Sequence, residues 1–165
     1  MLVIGIDPGT AITGYGLVED NDDGSLTVRD FGVILTPSKL SMPERLLELY
    51  RKLHAILLLH RPDSGAVEKL FFQRNVRTAL SVGQARGVIL LALAEVGINT
   101  VEYTPLEVKQ AVAGYGGADK NQVQQMVRAL LGLHEVPQPD DAADALAVAI
   151  CHLHSDRMRT IYHSD

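Results

Sequence analysis

Tryptophan is absent from this chain, phenylalanine occurs three times, and cysteine once, at Cys151. A single thiol excludes an intrachain disulfide and leaves no spaced cysteine pair for a zinc site. The run Cys151-His152-Leu153-His154 is therefore a weak metal motif. No apolar run reads as long enough to cross a bilayer. Ile56-Leu57-Leu58-Leu59, for example, is bounded by His54 and His60. The N-terminus carries neither the basic start nor the small-residue cleavage site of a signal peptide. These absences predict a cytoplasmic protein that does not use a membrane. Positive charge is also short: the formal net charge is −5. Such a total argues against a protein that coats polyanions with its whole surface.

The charge is unevenly placed, however. Residues 1–68 hold 6 Lys/Arg and 10 Asp/Glu, residues 69–128 hold 7 and 4, and residues 129–165 hold 2 and 6. A basic middle flanked by acidic ends could still bind a polyanion. At 165 residues and 47% hydrophobic content, one packed domain is expected. We assign it to residues 1–154, with 155–165 as a frayed tail.

Residues 2–7 are apolar and β-branched, and stop at Pro8-Gly9, as a buried strand does. Residues 13–19 and 26–35 follow as strands, with Asn21-Asp22-Asp23-Gly24 as a hairpin turn between them. Ser41 and Pro43 mark a helix start, and the helix stops at Arg61-Pro62. A strand ending at Glu68 comes next. A helix then covers about 75–96, where Gly83 and Gly87 are expected to permit close packing at a cost of roughly 1 kcal/mol each. Ile98–Tyr103 is a fifth strand. Helices follow from Thr104-Pro105 to Ala113, from Asp119 to Leu131, and from Asp140 to His154. Three hairpin-linked strands and then β–α alternation predict an α/β fold: a mixed five-stranded sheet with helices on both faces.

The chemistry lies in four acids. Asp7 and Glu68 each end an apolar strand, at the rim of the sheet. Asp141 and Asp144 are three apart and so share one helix face. Capping explains an aspartate at the start of that helix, Asp140 or Asp141, but not Asp144 before the apolar Ala145-Leu146-Ala147-Val148. Carboxylates gathered in one place repel each other unless cations lie between them. Hard divalent ions with oxygen ligands suit such a site, and metal-assisted phosphodiester hydrolysis is its simplest chemistry. Phe71-Phe72 offers one ring to the core and another to stack on a base. Arg74 and Arg77 suit phosphate or base-edge contacts. Lys109 and Lys120 flank the loop Gly114-Tyr115-Gly116-Gly117 and read as phosphate clamps.

In order and spacing, Gly5-Ile6-Asp7-Pro8-Gly9, Thr13-Gly14-Tyr15-Gly16, Gly83-Gln84-Ala85-Arg86-Gly87 and Asp141-Ala142-Ala143-Asp144-Ala145-Leu146-Ala147 resemble the RuvC family of Holliday-junction resolvases, within the ribonuclease H-like superfamily. The resemblance covers about residues 2–154. It implies a ribonuclease H-like nuclease domain and a catalytic tetrad of Asp7, Glu68, Asp141 and Asp144 on Mg²⁺ or Mn²⁺, two ions per site. It implies that Phe71 is the aromatic near the crossover and that Lys109 and Lys120 contact the scissile region. It implies a homodimer acting on four-way junction DNA in recombination and repair, partnered by the RuvA and RuvB branch-migration proteins. Ala11 stands where some relatives carry a basic residue, and Phe72 adds a second ring beside the wedge position. Two metals about 3.5–4 Å apart would leave a 5′-phosphate and a 3′-hydroxyl, with Asp7 as the bridging ligand and Lys120 stabilising the phosphate. Symmetric nicks would follow from a two-fold dimer. A ribonuclease acting on RNA–DNA hybrids shares the fold and metals. A non-catalytic junction-binding scaffold would need no tetrad, and an actin-like phosphotransferase would share the turn after Asp7.

Overall fold

The computed structural model describes residues 1–69 and 76–162, with the side chains of 160–162 left aside. Five strands, β1 (Leu2–Asp7), β2 (Ile12–Asp20), β3 (Leu26–Leu35), β4 (Ser64–Glu68) and β5 (Asn99–Tyr103), form one sheet in the order β3-β2-β1-β4-β5. The β1–β2 and β2–β3 pairs are antiparallel; β1–β4 and β4–β5 are parallel. The parallel centre follows from the crossovers. The chain returns through α1 (Met42–His60) to β4 and through α2 (Val76–Glu95) to β5. Three further helices, α3 (Pro105–Ala113), α4 (Lys120–Leu130) and α5 (Asp140–Tyr162), complete the chain.

Strand periodicity divides the core in two. Ile4, Ile6, Leu17 and Val67 pack on α1 and α2 through Leu49, Leu53, Leu57, Ile89 and Leu93. Val3, Val18 and Ala66 pack on the other face against α5 through Leu146, Ile150 and Leu153, with α3 and α4 outside it. Central strands buried on both faces read as continuous apolar runs, and β1 is written that way.

Two glycines decide how deep α5 lies. A Cβ on Gly5 would stand 2.1 Å from the carbonyl oxygen of Ala145, and one on Gly14 would stand 1.9 Å from that of Asp141. Only bare backbone lets a helix rest so close on a sheet. Gly14 is also the register partner of Asp7. The first turn of α5 is thereby seated directly beside the end of β1.

Three expectations need correction. Helix α5 does not stop at His154 but continues to Tyr162. Ser155 Oγ donates to the Cys151 carbonyl, and Arg157 ties that last stretch to Asp20 and to the Gly24 carbonyl, so its packing does not end where its apolar run does. Gly83 and Gly87 leave α2 unbroken, but nothing lies within 4 Å of a Cβ built at either one. They admit no close neighbour from within the described chain. Helix α2 is also long and apolar enough, by length and composition, to cross a membrane. It is instead docked on the sheet through Ala85, Ile89, Ala92 and Leu93.

Candidate active site

Asp7 and Glu68 reach the same rim because β1 and β4 are parallel neighbours, with Ile6 opposite Val67. The turn after Asp7 is held by side chains from three elements. Thr13 Oγ1 donates to the Gly9 carbonyl at 2.6 Å, and Thr36 Oγ1 donates to the Thr10 carbonyl at 2.5 Å. Arg45 Nε, from the first turns of α1, in turn donates to Thr36 Oγ1 at 3.0 Å. Among the described residues, Thr10 Oγ1 is the buried side-chain oxygen left without a partner.

The electrostatics show that the four acids converge. Burial raises the Asp7 carboxyl, and Glu68, Asp144 and Asp141 raise it further, to about 9. Asp7 therefore holds the proton that it shares by hydrogen bond with Glu68. Burial also raises Glu68, with Asp144 adding to the rise while Lys120 and Lys109 oppose it. Asp144 is raised by burial as well, which outweighs the pull of Lys120. An acid such as Asp7 that retains its proton at neutral pH marks an excess of negative charge that a bound cation would relieve. The donor set is all oxygen, as a hard divalent ion requires. Among the described residues, no three His, Cys, Asp or Glu side chains are drawn together closely enough to hold a metal as they stand.

Asp144 and Asp140 are instead engaged by a lysine. Lys120, the first residue of α4, places Nζ 3.2 Å from Asp144 Oδ2 and 3.2 Å from Asp140 Oδ2. Gln124, one turn further along α4, donates to Asp140 Oδ1 at 3.1 Å. Burial pulls the Lys120 ammonium down, but its bonds to the two aspartates outweigh that and leave it above the ordinary lysine range. The bond from Lys120, followed by that from Gln124, holds Asp140 below the usual carboxylate range. Asp140 looked like a helix cap in the sequence. Its position one turn before Asp144 was the only signal that it shares Lys120. Lys109 lines a cavity of about 280 Å³ together with Lys120, Glu68 and Asp144.

Arg77 lies exposed in the first turn of α2. Phe71, Phe72 and Arg74 fall outside the described residues. The three polar residues of the Cys151-His152-Leu153-His154 run bond four separate partners. Cys151 Sγ donates to the Glu107 carbonyl, and burial pushes its thiol up to about 12. His152 bonds Ser64 and Tyr103 on opposite ring nitrogens, and His154 Nδ1 lies 3.1 Å from the Ala111 carbonyl.

Comparison with known proteins gives the same direction. Residues 3–152 match the family described as "RuvC: Crossover junction endodeoxyribonuclease RuvC". A curated relative of that description from Desulfitobacterium hafniense is 62% identical over 155 residues, covering 94% of this chain and 93% of its own length. The solved structure of Thermus thermophilus RuvC superposes with a TM-score of 0.91 at 40% identity, covering 97% of this chain and 98% of that one. A second, T. thermophilus RuvC in complex with a Holliday junction substrate, gives 0.88 at 37% identity and 96% coverage of each chain. With its sheet order, its converging acids and a match over nearly its whole length, this chain belongs to the RuvC family of crossover junction endodeoxyribonucleases.

Proposed function

We propose that this protein is an endonuclease that resolves four-way DNA junctions, hydrolysing one phosphodiester in each of two strands of like polarity. The observation that carries the reading is the convergence of Asp7, Glu68, Asp141 and Asp144 at one rim, where burial first and the neighbouring acids second push the Asp7 carboxyl up to about 9. Asp7, Glu68, Asp141 and Asp144 would hold Mg²⁺ or Mn²⁺, two ions per site, which when bound supply a nucleophilic water and stabilise the leaving oxygen. The chain's own residues do the rest. Asp7 and Glu68, which share a proton in the metal-free site, would both serve as ligands once that proton is lost. Lys120, tethered by Asp140, exchanges Asp144 for a non-bridging phosphate oxygen and remains beside the developing charge. Lys109, across the same cavity, holds the strand next to it. Phe71, Phe72, Arg74 and Arg77 would serve at the crossover.

A two-fold substrate asks for a two-fold enzyme. Helix α2 offers the surface. Val76, Leu80 and Leu91 are 87%, 65% and 63% exposed, and Gly83 and Gly87 lie open between them. A second copy laid across that stripe would cover the apolar side chains and approach closely at the glycines. The homodimer, the RuvA and RuvB partners, and action in the cytoplasm without a membrane role complete the reading.

The test is cleavage of an end-labelled four-way junction with a mobile core, in Mg²⁺ and in Mn²⁺, beside a linear duplex and an RNA–DNA hybrid. Paired symmetric nicks in the junction alone are expected, with 5′-phosphate ends. Cleavage of the hybrid, or binding without cleavage, would overturn the assignment.

A further inference from the structure

A cavity of about 430 Å³ opens on the side of the catalytic turn away from Lys109 and Lys120. Gly9 and Ile12 of that turn form one wall, Met42 and Arg45 of α1 a second, and Ser81 and Val82 of α2 a third. The size suits a small organic unit. All three walls belong to the rim that carries Asp7. Both β1 and β4 end there, and both α1 and α2 begin there.

Arg45 is the informative residue. It is half-buried, and among the described residues its guanidinium donates through Nε, to Thr36. Among the described residues it has no carboxylate partner. Other arginines are matched: Arg29 by Glu19, Arg86 by Glu102 on both oxygens, and Arg157 by Asp20. In a chain of net charge −5, a sheltered guanidinium without an acid is a conspicuous omission. The planar fork beyond Nε suits the bidentate geometry of a phosphate. Met42, Ile12 and Val82 give the cavity apolar walls beside that fork, which suit the hydrocarbon face of a deoxyribose.

We propose that this cavity is a subsite for one sugar–phosphate unit of the DNA strand that flanks the scissile phosphate, with Arg45 as its phosphate ligand. The inference rests on the junction-nuclease reading above. A strand crossing the rim would be gripped on one flank by Lys109 and Lys120 and on the other by Arg45, with the acids between them. Two grips on either side of the reacting bond fix its orientation without touching it. The same guanidinium braces the catalytic turn through Thr36, so strand capture and the position of Asp7 are mechanically linked.

The experiment measures junction affinity in EDTA against salt, for the full chain and for Arg45→Gln and Met42→Glu. Glutamine keeps a donor for Thr36 and removes the charge. Met42→Glu leaves the Arg45 brace intact and sets a carboxylate at the cavity. Each variant should bind about tenfold more weakly, as expected for a lost charged hydrogen bond. Each should also lower the slope of log affinity against log salt by about 0.9. A series of junctions, each with one neutral methylphosphonate linkage near the cleavage point, locates the contact. The unaltered protein should be sensitive at one flanking linkage where both variants are indifferent. Unchanged slopes and an unchanged linkage profile would overturn the subsite. A loss with Arg45→Gln that Met42→Glu does not share would mark Arg45 as a brace alone, and would overturn it too. If the unaltered protein binds a linear duplex as tightly as the junction, the function itself fails and the subsite with it.

Discussion

Asp7→Asn should stabilise the metal-free protein while destroying its activity, and the gain should grow with pH. The carboxyl titrates near 3.8 in an unfolded chain and at about 9 in this fold. Between those values the native state keeps a proton that the unfolded state has lost. Stability therefore falls as pH rises, by about 1.4 kcal/mol per pH unit for one proton. The contribution is whole below pH 3.8 and fully lost above about 9. By pH 7 the loss amounts to about 4 kcal/mol at most. Other groups crowd the acid side of this window. Burial lowers His152, so charging it on acidification costs stability below its ordinary value. Asp20, Glu44 and Glu107, all held low by hydrogen bonds, act in the same sense. The window from about pH 7 to 8.5 is clear of them, and of Cys151, whose thiol is pushed up to about 12.

Over that window, in EDTA, the unaltered protein should lose about 2 kcal/mol. For a chain of this size the fall in Tm would be roughly 4–8 °C. Asp7→Asn cannot ionise and should show a nearly flat profile over the same range. Adding Mg²⁺ or Mn²⁺ displaces the shared proton, so it should restore the unaltered protein increasingly with pH and leave the variant almost unmoved. Differential scanning calorimetry at four pH values measures all of this. Parallel slopes for the two proteins without metal would refute the claim that the rim acids repel one another in the native state.

Glu68→Gln should abolish cleavage while leaving junction binding intact, as read by gel shift and single-turnover cleavage; cleavage equal to that of the unaltered protein would remove Glu68 from the metal site. Lys120→Ala should lower the single-turnover rate by roughly 100-fold and affinity much less. Asp140→Asn should slow cleavage roughly two- to fivefold, and in the Lys120→Ala background it should do nothing more. Additive losses would mean that Asp140 acts otherwise than through Lys120. Gly14→Ala should cost at least about 1–3 kcal/mol, seen in urea melts, because its methyl would meet the Asp141 carbonyl at 1.9 Å. Leu80→Glu should give monomers in light scattering at micromolar concentration; an unchanged dimer would move the two-fold interface off α2.

Much of the fold could be read from pattern. The apolar runs ending in Asp7 and Glu68, the turn at Asn21-Asp22-Asp23-Gly24 and the caps at Thr104 and Asp119 are local signals, and the strands and helices stand close to where those signals put them. The end of α5 was misread because its last turns are held by a distant partner. Asp20 reaches Arg157 across 137 residues of chain, and no local signal marks that pair. What the glycines of α2 pack against was hidden for a related reason. A small residue reports that space is needed, not whether that space is inside the molecule or on its surface.

The sequence by itself determined which residues bear charge at strand and helix ends, because periodicity and capping are properties of neighbouring residues. Only the tertiary structure decided that these charges meet. Gly14 has to lie bare beneath Asp141 before the start of α5 can reach Asp7. Lys120 has to cross from α4 before Asp140 becomes its tether. Arg45 has to be enclosed without an acid before it reads as a ligand for phosphate. Each depends on burial and distance between segments far apart in the chain, and those two quantities set the energy of a charge.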